Sequence, residues 1–560
     1  MFQFLTISAC PLGNPSCGRT FPPLLLFRIT TPVCVLSLAV FAQLFVPVPL
    51  SAESTDRPNI ILMMADDMGF SDLGCYGGEI ETPNLDQLAQ GGIRFTQFYN
   101  TARCCPTRAA LLTGLHQHQA GIGHMVGDYG IPSYQGYLND QCVTIAEALR
   151  GAGYTTLMSG KWHVGSRPEH WPTKRGFDRY WGTPSGGGVY FKDTLQIRNT
   201  VFFVNNEEKI ELPDDFYITD DLTDRAIKFI DEAVNETKKP FFLYLAHIAP
   251  HWPLQAKPED IARYDGKYNQ GWDAVREARF ERQASMKFFP SGTQLSSRDK
   301  SAKAWNRLPP SAQEDLAHRM EIYAAQISCI DDNVGTLITK LKELGQYENT
   351  LFIFLSDNGC SAEGGPGGFS RGKKDAPIGT GLSYASVGLE WANANDTPFR
   401  KFKMDTREGG ISSPLIIHWP QGVKSNGRLV DASSHVIDVM PTLLEVARAT
   451  YPDKRNGKAT IPLEGQSFAN QFSSTKTVPD RDLFWEHEGN QAIRRGDWKA
   501  LRINNGPWSL YNLKDDRTET TNLSKTHPEI TKELATAWEA WAQRCGVWDW
   551  NKLQEHRRKK

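Results

Sequence analysis

The sequence predicts an α/β fold: a large, mostly parallel sheet covered by helices on both faces, with a smaller α+β domain at its C-terminal end. Three observations predict it. Short apolar runs alternate with amphipathic helical stretches. Polar residues follow those runs at the same end. After about residue 465 the texture changes to short strand-like segments and one closing helix.

The strand segments are NIILMMA (59–65), TTLMSG (155–160), PFFLYLA (240–246), TLFIFLS (350–356) and SPLIIHW (413–419). Each is a near-continuous apolar run, the pattern of a strand buried on both faces. TIAEALRGAG (144–153) has helical apolar spacing and a glycine stop, and EIYAAQISCIDDNVGTLITKLKELG (321–345) repeats the pattern at greater length. HVIDVMPTLLEVA (435–447) is a third helix. Residues 253–320 hold no strand pattern and many charges, and read as a helical insertion with a loop near the mouth of a site. DLFWEHEG, QAIRRGDWKALRI and WSLYNL read as antiparallel strands, and PEITKELATAWEAWAQRC as the closing helix. The basic tail HRRKK reads as a frayed, solvated end.

Residues 1–52 carry only Arg19 and Arg28 as charges, and VCVLSLAVFAQLFV (33–46) is too short to span a bilayer comfortably. Prolines and Ser51-Ala52 follow. The segment reads as a secretory signal cut near Ala52, which implies export to the periplasm or medium. The domain reading is therefore a leader (1–52), a catalytic domain (53–465) and a C-terminal subdomain (466–560). A net charge of −2 excludes the broad basic field that nucleic acid or anionic lipid requires. Three of the ten cysteines lie in the leader; the remaining seven have no zinc spacing and demand no disulfide, with Cys105 available as a partner if one forms.

Four strand ends carry the chemistry. NIILMMA runs into Asp66-Asp67, TTLMSG into Lys161-Trp162-His163, PFFLYLA into His247-Ile248-Ala249-Pro250-His251, and TLFIFLS into Asp357-Asn358. In open α/β sheets ligands bind outside the carboxyl ends of strands, so these residues share one rim. Asp66, Asp67, Asp357 and Asn358 are hard oxygen donors suited to Ca²⁺ or Mg²⁺. A divalent ion would also relieve the repulsion among three carboxylates. Lys161 and His163 lie two apart, so in an extended segment both face one side, able to hold an anion and move protons. His251 sits in a proline-stiffened loop; of His247 and His251 only one need face the site. In RCCPTRAALLTG (103–114) the proline turns the chain into a helix whose N-terminus favours negative charge, and Arg108 adds a fork of donors. A reactive group at residue 104 would face a metal, an arginine, a lysine and histidines, a setting for transfer of a tetrahedral, highly charged group.

The same residues resemble a known family. Cys104, Pro106, Thr107, Arg108, Leu112, Thr113 and Gly114 match the signature of the type I sulfatases, in which a maturing enzyme converts the first cysteine to formylglycine. Only Cys104 fits, because Cys105 would need proline at 107 and arginine at 109. ADDMGFSD (65–72), GKWH (160–163), APHWP (249–253) and SDNG (356–359) also match, and the likeness to bacterial arylsulfatases runs from about Arg57 into the C-terminal domain. In TPFRKFKMDTREGG (397–410) Lys403 matches the second active-site lysine, with Arg400 and Lys401 close enough to compete for that match.

The resemblance implies an alkaline phosphatase/sulfatase-like fold and one Ca²⁺ held by Asp66, Asp67, Asp357, Asn358 and the modified residue 104. It implies that hydrated formylglycine attacks sulfur. Arg108, Lys161 and Lys403 would neutralise the sulfate oxygens, and His251 with Lys403 would protonate the departing alcohol. His163 would take the second hydroxyl's proton so that sulfate is expelled. The implied partners are a sulfate ester, aryl or carbohydrate, and a formylglycine-generating enzyme, with no nucleic acid and no stable membrane span. Two rivals stand beside it: a phosphatase or phosphonate monoester hydrolase on the same scaffold, and an inactive protein that binds sulfated sugars. A single oxygen-donor cluster, rather than a two-zinc His/Asp set, favours sulfate, and the filled site positions disfavour the inactive binder.

Overall fold

The computed structural model describes residues 57–424, 427–473 and 481–559, so the leader and its cleavage lie outside the described residues. The main sheet is built from β1 (Asn59–Asp66), β2 (Ile93–Tyr99), β3 (Thr155–Lys161), β4 (Arg179–Thr183), β5 (Phe203–Asn205), β6 (Glu208–Ile210), β7 (Phe241–Pro250), β8 (Thr350–Ser356), β9 (Ser412–His418) and β10 (Arg428–Val430). Their order is β10-β2-β9-β8-β1-β7-β3-β4-β5-β6, with Ser434–His435 paired to β2 off this path. The central run β8-β1-β7-β3-β4 is parallel throughout, while β9 is antiparallel to both of its neighbours.

The continuous apolar runs are explained by burial on both faces. Along β1, Ile60, Leu62 and Met64 enter one core and Ile61, Met63 and Ala65 the other. The first core is closed by α1 (Cys104–Thr113), α2 (Ile145–Gly151) and α5 (Val439–Val446), the second by α3 (Ile218–Glu232) and α4 (Pro310–Glu343). Burial of all eight β1 residues accounts for a strand with no polar alternation.

The five expected strands and three expected helices form, with two extensions. The helix expected over 321–345 starts at Pro310, whose missing N–H has no intrahelical partner to lose at that position. The tail expected to fray is instead α7 (Trp550–Lys559), which follows α6 (Pro528–Cys545). Leu553 is fully buried against Tyr129, Ile131 and Tyr134, and that apolar contact holds the basic end down. Residues 253–320 contain helices, among them Gly271–Ser285 and the start of α4, and no strand among the described residues, and Asp299 of its loop pairs with Lys401.

The C-terminal strands β11 (Asp482–His487), β12 (Asn490–Arg495), β13 (Trp498–Arg502) and β14 (Ser509–Asn512) form an antiparallel meander. One face packs on α6 through Ile493, Ala500, Leu510, Trp538 and Trp541. The other face meets the end of β2 through Trp485, Leu501 and Tyr99. Beneath it, buried Lys499 pairs with Glu408 at 2.8 Å and Glu519 at 2.7 Å, and Arg517 pairs with Glu408 at 2.8 Å. The seven described cysteines are free, so Cys105 has no disulfide partner here. No helix among the described residues is long and apolar enough to cross a membrane.

Candidate active site

Cys104 is the first residue of α1, and all ten residues of that helix are buried. Pro106 sits in the first turn, where an N–H would lack a partner in any case. Gly114 ends the helix at φ +66, the left-handed conformation that glycine adopts at no steric cost. Arg108, one turn on from Cys104, points under the rim. Its Nη2 donates to Asp357 at 2.9 Å and lies 3.5 Å from Asp66, and its Nη1 donates to the Lys161 carbonyl at 3.1 Å.

β1, β3, β7 and β8 all end at this edge. A bulge between Met64 and Asp66 breaks the β1–β7 register, and Asp67 follows in a left-handed conformation, φ +66. Lys161 Nζ hydrogen-bonds Asp66 Oδ2, with both side chains fully buried. Lys403 Nζ lies 2.8 Å from the Asp67 carboxylate. The Asp67 amide donates to Asp357 at 3.1 Å, and Asn358 Nδ2 donates to Asp67 at 2.7 Å. His251 lies between two cis prolyl bonds; its Nδ1 faces the Trp252 carbonyl at 2.7 Å, which places the proton there and leaves Nε2 3.5 Å from Asp67.

His163 reaches the site by a different route from the one expected. It adopts φ +57, so the chain after β3 is turned and not extended. The turn nonetheless brings a ring nitrogen of His163 within 4.8 Å of the Cys104 and Cys105 sulfurs. His247 takes no part: it is fully buried, and neither ring nitrogen has a partner. The three cations at 400–403 point to different partners. Arg400 binds the Glu519 carbonyl and Lys401 binds Asp299, while Lys403 alone enters the rim.

Three carboxylates and three cations therefore share one buried volume. Burial raises the pKa of the Asp66 carboxyl, but Lys161, His251 and Arg108 outweigh it and hold the carboxyl well down. Asp357 is pushed up, first by burial and then by the Asp66 charge. Cys104 is held well below the usual thiol range, first by a hydrogen bond from Cys105 and then, against burial, by Lys161 and His163. His163 is pulled to about 4 by burial and by Lys161, so it is neutral at pH 7 and able to accept a proton.

The donor set fits a hard divalent cation. Asp66 Oδ1 and Asn358 Oδ1 are buried oxygens with no hydrogen-bond partner, beside the Asp67 and Asp357 carboxylates. Oxygen-only donors of this kind match Ca²⁺ or Mg²⁺ and not zinc.

Glu363 is a site neighbour that no sequence pattern marked. It accepts from Arg103 at 3.3 Å and from the Trp252 indole N–H, and lies 3.6 Å from Lys403. Burial works to raise its carboxyl, but Lys403, His251 and Arg103 hold it at about 2. Tyr244 is the second, its hydroxyl 3.4 Å from Arg108. Its strand position was readable, but its role was not.

A parallel sheet whose carboxyl edge joins hard-oxygen donors, an arginine and two lysines around a helix N-terminus is suited to a metal-assisted hydrolase of anionic esters. Comparison with known proteins narrows this. The Sulfatase family model matches residues 58–449, and the model for N-sulphoglucosamine sulphohydrolase, C-terminal, matches residues 401–543. The chain is 35% identical to an uncharacterized sulfatase of Schizosaccharomyces pombe, over 88% of this chain and 94% of that one. It is 35% identical to an arylsulfatase of Klebsiella aerogenes, over 75% of this chain and 92% of the relative. Among solved structures, Ps i-CgsB in complex with k-i-k-neocarrahexaose superposes with a TM-score of 0.65 at 30% identity, covering 88% of this chain and 93% of the other. The chain belongs to the sulfatase family.

Proposed function

We propose that this protein is an exported sulfuric ester hydrolase whose nucleophile is formylglycine made from Cys104 and whose metal is one Ca²⁺. The observation that carries the reading is the placement of Cys104 at the head of a buried helix, facing His163, with Arg108, Lys161, Lys403 and His251 converging on the carboxylates beside it. Asp66, Asp67, Asp357, Asn358 and residue 104 would hold the cation. When bound it supplies Lewis-acid polarisation of the nucleophilic oxygen and of the ester. The hydrated aldehyde supplies one hydroxyl to attack sulfur and a second whose deprotonation releases sulfate, which a thiol or serine cannot do.

The chain's own residues divide the remaining work. Arg108, Lys161 and Lys403 neutralise charge on the transferred group in a water-poor volume, where such donors act most strongly. The doubly protonated His251 ring, its Nδ1–H held by the Trp252 carbonyl, delivers the Nε2 proton to the departing oxygen, with Lys403 on the other side of the shared Asp67 carboxylate. His163, neutral at working pH, takes the proton of the second hydroxyl. The substrate is a sulfate monoester of an aryl or carbohydrate alcohol, and a formylglycine-generating enzyme acts on the chain during maturation. Export rests on the apolar leader and its small-residue cleavage pattern.

The test is the mass of the tryptic peptide Cys104–Arg108 from protein co-expressed with a formylglycine-generating enzyme. An aldehyde at 104 is the expected result. An unmodified cysteine under conditions that convert a control sulfatase refutes this nucleophile.

A further inference from the structure

The sulfatase roles leave one group of metal-ligating side chains unused. His124 lies in the connection between α1 and α2. His487 is the last residue of β11, and Glu488 opens the two-residue turn that leads to β12. Glu488 Oε1 lies 2.8 Å from His124 Nε2 and 3.7 Å from His487 Nε2. One ligand atom from each of the three residues lies within 4.8 Å of the other two. Ligand atoms about 2.1 Å from a tetrahedral zinc ion stand roughly 3.4 Å from one another, a value between the two separations to Glu488.

His487 is the member that lacks a partner. It is fully buried, and neither ring nitrogen has a hydrogen-bond partner among the described residues. A buried polar group left dry is costly, and nearly all such groups in folded proteins are bonded to something. The ring is held in place by stacking on His124, centroid to centroid 5.6 Å. His124 is fixed in turn: Trp550 of α7 lies 5.0 Å from its ring, and the Tyr129 hydroxyl lies 2.8 Å from its Nδ1. With a metal on Nε2, Nδ1 carries the proton and the Tyr129 oxygen accepts it, the outer hydrogen bond that orients a ligating imidazole.

We propose that His124, His487 and Glu488 hold one Zn²⁺ with water as its fourth ligand, and that the ion ties the C-terminal sheet to the catalytic domain. Two imidazoles and a carboxylate are a zinc donor set. The same donors can take iron(II), but an octahedral ion needs three further ligands. The His487 side chain is 0% exposed, that of His124 9% and that of Glu488 24%, so the group opens only beside the carboxylate, with room for one water and not three. Arg103 Nη1 stands 3.8 Å from Glu488 Oε1, but Glu363, 3.3 Å from Nη2 of the same guanidinium, offsets its charge. His124 and Glu488 are 364 residues apart in the chain, so an ion between them is bound by the folded protein and not by the unfolded one. The ion's place is independent of the sulfatase chemistry.

The test is zinc binding to the calcium-saturated full chain, followed by competition with a chromogenic chelator and by mass spectrometry of the bound metal. Two other groups also bring possible ligands together, Cys104 with Cys105 and His163, and Asp66 with Asp67 and His251, so Cys105→Ser and His251→Ala serve as controls. The expected result is one equivalent of zinc, with affinity lowered about a hundredfold or more in His124→Ala, His487→Ala and the shape-conserving Glu488→Gln, and unchanged in both controls. Zinc should raise the thermal midpoint of wild type and leave that of Glu488→Gln where it was. Cobalt(II) in the same site should give the intense visible absorption of a four-coordinate ion. Wild type that takes up no zinc overturns the proposal. So does zinc whose binding survives in Glu488→Gln and in whichever histidine variant folds, or is lost in either control. A six-coordinate cobalt spectrum, or stronger binding of iron(II) than of zinc, overturns the assignment of the ion.

Discussion

Lys403→Met is the most informative single change, because the sequence offered three cations for one role and only Lys403 of the three contacts the rim. Lys403 Nζ is 2.8 Å from Asp67 and 3.6 Å from Glu363, and its side chain is 2% exposed. Methionine keeps the length and removes the charge. Loss of one preorganised donor to a transition state that gathers negative charge costs about 10² to 10³ in kcat, or roughly 3 kcal/mol. A stability cost accompanies it. Breaking a buried ion pair costs about 3–5 kcal/mol when the remaining charge is stranded. Here the cost falls at the low end, because Asn358 still donates to Asp67 at 2.7 Å and Glu363 keeps Arg103 and is 26% exposed. The variant should therefore fold. The assay is steady-state hydrolysis of 4-nitrophenyl sulfate beside urea unfolding, with Arg400→Met and Lys401→Met as controls that face Glu519 and Asp299. Lys403→Met should lose at least a hundredfold in kcat and the controls less than fivefold. A folded Lys403→Met within tenfold of wild type, or an equal loss in Lys401→Met, refutes the assignment.

Asp67→Ala removes an oxygen donor at the centre of the rim, and calcium binding followed by titration calorimetry should disappear together with turnover; unchanged turnover sinks the metal assignment. His247→Leu isolates a pH effect. Burial holds His247 at about 4 against an unfolded value near 6.5, so below pH 6.5 the unfolded chain takes a proton that the folded chain refuses, and wild type loses stability as pH falls. The variant lacks that loss, so its stability relative to wild type should be about 2 kcal/mol better at pH 5 than at pH 8, at 1.36 kcal/mol per pKa unit; no difference between the two pH values in urea unfolding contradicts it. Lys499→Met strands the buried Glu519 carboxylate while Glu408 keeps Arg517, and should lower unfolding free energy by about 3 kcal/mol, the low end for a broken buried pair; a loss under about 1 kcal/mol would count against the ion cluster as a structural tie.

The strands that carry the site were legible because burial on both faces leaves an unbroken apolar run, as in NIILMMA and TLFIFLS, and because Asp66 and Asp357 follow those runs directly at the rim; His247 follows PFFLYLA but lies inside the longer strand β7. β2 was not legible. Its IRFTQFY mixes polar and apolar residues, since Arg94 and Gln97 bond outward to Gly427 and Asp431. Within the site, Asp66, Asp67, Lys161, Asp357 and Asn358 followed from strand ends, and Cys104 and Arg108 from motif spacing. His163 reached the site by a left-handed turn that no alternation rule describes. Glu363 lies in a glycine-rich loop, and Arg103 and Glu488 come from segments 385 residues apart in sequence order. Sequence by itself determined which chemistry the rim can hold, because short-range pattern decides which residue ends which strand. Tertiary structure alone decided which lysine enters the rim and which charges line its approach, because those choices depend on side-chain direction and on contacts between distant loops.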